Sequence, residues 1–90
     1  MVTSRQVRAA RALLGWTQEM LADKAPVALT ALKRLESENG LKVREDTRDL
    51  VRRALEAGGI VFLASAQGEG VMLVRGPSDA RGTSRRSRAG

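Results

Sequence analysis

Residues 17–36 read Thr17-Gln-Glu-Met-Leu-Ala-Asp-Lys-Ala-Pro-Val-Ala-Leu-Thr-Ala-Leu-Lys-Arg-Leu-Glu36, and how this stretch folds decides the rest. Thr17 suits a helix start, because its side-chain oxygen can pair a backbone N–H that the first turn leaves free. Glu19, in that first turn, sits favourably against the positive end of the helix dipole. Met20, Leu21, Ala22 and Ala25 are expected to form the buried face of this short helix. Pro26 ends it, since proline lacks an N–H and clashes with the turn before it. A second helix is expected from about Ala28 to Glu38, with Val27, Leu32 and Leu35 turned inward. Ala22 is small enough to let the two helices cross closely, and Val27 and Leu32 plug the angle between them. The spacing predicts a helical corner with a tight turn at Ala25-Pro26-Val27.

Outward from this corner the signals are just as local. Thr3-Ser4-Arg5-Gln6 has the S/T-x-x-E/Q form of a capping box. Val7, Ala10, Leu13 and Leu14 follow at helical spacing, so a first helix is expected over 4–14, stopped by Gly15. After an Asn39-Gly40 turn signal, Glu45 and Asp46 open a fourth helix whose apolar stripe is Leu50, Val51, Ala54 and Leu55. Gly58-Gly59 ends it. Ile60-Val61-Phe62-Leu63 and Val71-Met72-Leu73-Val74 then flank a loop over 65–70, which reads as a β-hairpin. Neither strand alternates polar with apolar, so both faces want cover, and an isolated two-stranded ribbon leaves both edges open. The hairpin is therefore expected to form a homodimer interface through Ile60, Val61, Phe62, Leu63, Val71 and Leu73.

Composition narrows the function. The 90 residues hold 16 Lys+Arg and 10 Asp+Glu, a net charge of +6. There is no Cys, His or Tyr, and the only aromatics are Trp16 and Phe62. Thiol nucleophiles, disulfides, Cys-type zinc sites and histidine general bases are thereby excluded, so no enzyme, metal or cofactor is expected. The apolar run over 60–64 is far short of the ~18 residues of a membrane span, and the polar, basic N-terminus does not read as a signal peptide. A cytoplasmic location is expected. The charge is uneven: residues 75–90 carry five Arg and one Asp, a net of +4, against eleven basic and nine acidic residues before them. Residues 76–90, rich in Gly, Ser and Arg, read as a disordered tail following one folded domain over 1–75.

The strings Gln6-Val-Arg-Ala-Ala-Arg-Ala-Leu-Leu-Gly-Trp-Thr-Gln18, Leu21-Ala22, Val27, Leu32 and Arg34-Leu-Glu36 together resemble the Cro/cI-type (lambda-repressor-like, xenobiotic-response-element) helix-turn-helix regulators. With the fourth helix and Ala57-Gly-Gly-Ile-Val-Phe62, the resemblance spans roughly residues 3–75. It implies a mainly α fold, a four-helix helix-turn-helix domain with the corner at 17–36, followed here by the C-terminal hairpin. It further implies a homodimeric transcriptional regulator that binds double-stranded DNA at a palindromic operator, with the third helix in the major groove. Gln18 matches the glutamine that bonds a phosphate. Ala28, Leu29, Thr30 and Lys33 match the exposed face of the recognition helix, with Thr17 and Arg34 beside them, and Lys42 and Arg44 offer further phosphate contacts. Arg11 and Glu36 match an internal salt bridge of the family, and Trp16 a core-edge aromatic.

Three positions depart from that pattern. Pro26 stands where the turn usually has Gly, so a turn of another shape is expected, extended at Ala25 because it precedes proline. Ala28 replaces the usual Ser or Thr cap, at ~1 kcal/mol of helix stability. The reading face also lacks the Arg, Asn and Gln that discriminate bases by bidentate pairing. Thr30 and Lys33 are left as its polar contacts. An exposed Leu29 beside Ala28 equally suits a protein-interaction module of helix-turn-helix fold, an antiactivator or antitoxin whose protein partner docks on the Ala28/Leu29 face.

Overall fold

A computed structural model describes residues 2–37 and 43–74. Lys42, the Asn39-Gly40 turn and the 76–90 tail lie outside the described residues. Four helices precede a two-stranded antiparallel hairpin: α1 (Ser4–Leu14), α2 (Gln18–Lys24), α3 (Leu29–Glu36), α4 (Glu45–Ala57), β1 (Ile60–Ser65) and β2 (Gly68–Leu73). None of the helices is long and apolar enough to cross a membrane, among the described residues.

The helix ends follow from local hydrogen bonding. At α1 the capping box is complete: the Thr3 hydroxyl accepts from Gln6 N, and Gln6 Oε1 accepts from Thr3 N at 3.0 Å. Gly15, at φ 72°, turns the chain left-handed so that Trp16 N reaches back to the Arg11 carbonyl. Thr17 caps α2 by accepting from Met20 N at 3.1 Å. The end of α2 repeats the α1 pattern, Val27 N donating to the Ala22 carbonyl at 3.0 Å. This differs from the expected turn. Ala25 is not extended but sits at φ −89°, ψ 5°, and the left-handed position is taken by Pro26 at φ 23°. Ala25 is 1% exposed, so core packing holds it where the helix needs it, and the strain moves to the proline ring, which prefers φ near −65°.

α3 is shorter than expected. Ala28 is an extended residue ahead of the helix with no side-chain cap bond, and Ser37 is extended again at φ −80°, ψ 143°. α1 captures the end of α3: Arg8 Nη1 donates to the Glu36 carbonyl at 2.7 Å and Ser4 Oγ to the Ser37 carbonyl at 3.2 Å. α4 lacks a side-chain cap bond, but Glu45 and Asp46 lie in its first turn. At its end Gly58 is a close-approach site, since a Cβ there would stand 2.9 Å from Trp16 Cη2.

The core joins Val7 and Ala10 of α1, Leu21 of α2, Leu32 and Leu35 of α3, Val51 and Leu55 of α4, and Ile60 of β1. Three residues assigned to apolar stripes fall outside it: Leu13, Met20 and Leu50 are 48%, 41% and 37% exposed. Each stands one residue from an inward neighbour (Leu14, Leu21, Val51), and that step of about 100° around the helix carries it off the core.

The hairpin also differs from its expected form. Ser65 pairs with Gly68, so the turn is only Ala66-Gln67, and 68–70 belong to β2 rather than to a loop. Side chains of register pairs share a face. Ile60, Phe62 and Val71 face the helices: Ile60 is buried, and Phe62 and Val71 pack against the core. Ile60 is thus spent within the protomer and is not free for the dimer contact assigned to it, whereas Phe62 and Val71 are only half-buried and Leu73, the register partner of Ile60, is 39% exposed. Val61, Leu63 and Met72 face outward.

Candidate nucleic-acid interface

Glu36 is the polar centre of the helical half, only 4% exposed. A carboxylate so placed needs its charge answered and its lone pairs filled. Arg11 does both in a bidentate pair, Nε to Oε2 at 2.7 Å and Nη2 to Oε1 at 2.9 Å. Its remaining Nη1 donates to the Trp16 carbonyl at 3.1 Å. The hydrogen bond from Arg11 to Glu36 raises the guanidinium pKa above its ordinary value, against the opposing effect of burial. Gln18 Nε2 adds a third donor to Glu36 at 3.0 Å. One cluster therefore ties α1, the start of α2 and the end of α3 together. Gln18 spends one of its two amide hydrogens on Glu36 and keeps one for another acceptor.

With Leu32, Leu35 and Glu36 turned inward, α3 presents Thr30, Lys33 and Arg34 outward, at the i, i+3, i+4 spacing of a single face. All three are exposed, and Lys33 and Arg34 have no ion pair among the described residues. Thr17 is exposed at the start of α2, its hydroxyl oxygen held by Met20 N and its proton free. Arg44 is exposed and paired with Asp46 at 3.1 Å, at a site open enough to water for the pair to exchange readily.

The start of α3 differs from its end. Ala28 is exposed, but Leu29 is half-buried and packs against the core, which corrects its reading as an exposed apolar contact. It lines a shallow depression with Glu19, Asp23 and Pro26. Two carboxylates of α2 thus flank the first turn of α3, while cations occupy its last turn. Sequence spacing alone missed this polarity, although Glu19 and Asp23 at i, i+4 already predict a shared face.

Gln6 is a second buried polar residue, 4% exposed. Beyond its part in the capping box, its Nε2 donates to the carbonyls of Leu63 and Gly70 at 3.0 and 2.9 Å. All its hydrogen-bonding groups are used, and it locks the hairpin to the start of α1. The capping-box pattern pointed to this residue but not to its long-range role. A comparison with protein-family models finds no match for this chain, and a search of curated proteins finds none either.

Proposed function

We propose that the chain is a sequence-specific DNA-binding transcriptional regulator, with α2 and α3 as its helix-turn-helix, acting as a homodimer on a palindromic operator and not as an enzyme. The observation that carries this reading is the outward face of α3. Thr30, Lys33 and Arg34 stand there exposed, with both cations unpaired among the described residues, on a helix anchored from behind by the Arg11–Glu36–Gln18 cluster. A base-reading helix needs that combination, because side chains must reach the groove from a backbone that does not yield.

In this reading Lys33 reaches guanine O6 and N7 or a phosphate, and Thr30 contacts a base edge. The spare amide hydrogen of Gln18 and the free hydroxyl proton of Thr17 go to phosphates, positioning the helix without reading sequence. Glu19 and Asp23 repel phosphates near the first turn of α3, so discrimination leans on DNA shape as well as on direct contacts. Leu29, half-buried, offers less apolar surface to a protein partner than an exposed leucine would.

Fluorescence anisotropy with DNA from upstream of the protein's own gene tests the proposal. Lys33→Ala should weaken binding about tenfold and lower the salt slope by about one. Gln18→Ala should weaken binding through lost positioning. Unchanged affinity in both variants, or no saturable binding at low salt, would favour the protein-partner module of the same fold.

A further inference from the structure

The outward face of the hairpin is apolar and open to solvent. Val61, Leu63 and Met72 are 40%, 47% and 48% exposed, and Val74, next in the alternation after Met72, is 40% exposed. No charged residue shares this face; the remaining members of its register pairs are Ser65, Gly68 and Gly70. Leu63 stands opposite Gly70, where a Cβ would lie 4.0 Å from Leu63 Cδ1, and near Gly68, where a Cβ would meet nothing within 4 Å. The face therefore carries a leucine knob beside a recess of bare backbone.

We propose that this face binds a second copy of the chain, hairpin against hairpin about a two-fold axis, with Leu63 of each copy seated over Gly68 and Gly70 of the other. A two-fold interface must be complementary to itself, and a knob lying next to its own recess meets that condition. The absence of charge lets identical faces meet without repulsion. Pairing of strand edges would extend the sheet but leave Val61, Leu63, Met72 and Val74 in water, so it does not answer the exposure that needs explaining. The four side chains expose on the order of 300 Å² per copy, so two faces bury roughly 600 Å², short of the ~1,000 Å² of a stable interface. The dimer is accordingly weak and concentration-dependent when free. Neighbouring half-sites on DNA hold two copies at high effective concentration, where the same face closes. In this the inference rests on the regulator reading, but its test contains no DNA, so either can fail without the other.

Sedimentation equilibrium on the full chain, from roughly 10 µM to about 1 mM, reads the association constant over the range in which such a weak contact titrates. The wild type should pass from monomer to dimer within it. Gly70→Val fills the recess, its Cβ in ordinary contact 4.0 Å from Leu63 Cδ1, so the circular dichroism spectrum and melting temperature should hold or rise while association weakens about tenfold or more. Leu63→Lys should abolish association by placing a charge in the contact. A wild type that stays monomeric throughout overturns the proposal. So does a dimer whose constant is the same in folded Gly70→Val and Leu63→Lys proteins, as edge pairing would leave it.

Discussion

Glu36 sits 4% exposed among the helices, while Leu63 and Met72 stand nearly half exposed on the hairpin. The helical corner and the hairpin thus distribute their chemistry in opposite ways. In the corner a charge is buried because three donors from two side chains meet it. In the hairpin, apolar side chains stay in water because only one face of a two-stranded ribbon can rest on the helices. The first arrangement is complete within one chain, and breaking it is costly. The second leaves one face uncovered, and changing that outer face should cost the protomer little. The contrast separates the part of the molecule that sets its shape from the part whose outer apolar face stays in water.

The sharpest way to break that contrast is Arg11→Met. It leaves the Glu36 carboxylate buried without its countercharge and should destabilise by ~3–5 kcal/mol, seen as a large fall in urea midpoint. Next is Gln6→Ala, which removes the amide bonds to Thr3, Leu63 and Gly70. It should cost ~2–3 kcal/mol, with hydrogen exchange quickening in the hairpin before it quickens in α3 and α4. Pro26→Gly acts in the other direction. Relief of the strained φ at the α2–α3 turn should exceed the added flexibility of the unfolded chain, raising stability by ~1 kcal/mol in thermal melts. The smallest effect belongs to the outer hairpin face, where Met72→Thr should change the stability of the dilute protein by no more than ~0.5 kcal/mol. A cost of several kcal/mol there would show that the hairpin is not the tolerant half.

Where signals were local, the sequence was legible. The Thr3–Gln6 capping box and Gly15 set the limits of α1 at Ser4–Leu14, and Thr17 marked the start of α2. Such signals work because their hydrogen bonds close within a few residues. Stripe membership was less legible: Leu13, Met20 and Leu50 are apolar and adjacent to buried positions, yet only the packing of neighbouring helices decides which side of a stripe is covered. Gly68 and Gly70 looked like loop residues because glycine favours turns, but the ladder from Ser65–Gly68 onward placed them in β2. Within the candidate interface, Thr30 and Lys33, with Arg34 beside them, were named through the family resemblance, and all three stand exposed. The half-burial of Leu29 and the two carboxylates beside it were not legible, since they depend on how closely α2 lies against α3.

By itself, the sequence determined the limits of α1 and α4, the start of α2, the helical corner and the existence of a hairpin. Each of these rests on interactions spanning a few residues or on simple periodicity. Only the tertiary structure decided that the α2–α3 turn keeps a left-handed residue despite proline, because burial of Ala25 outweighs local preference. It also decided that Gln6 joins residues 57 and 64 positions away, and that Ile60, Phe62 and Val71 serve the protomer while Val61, Leu63 and Met72 remain outside it. A strand offers two faces with equal ease, and the choice between them is made by the helices it meets.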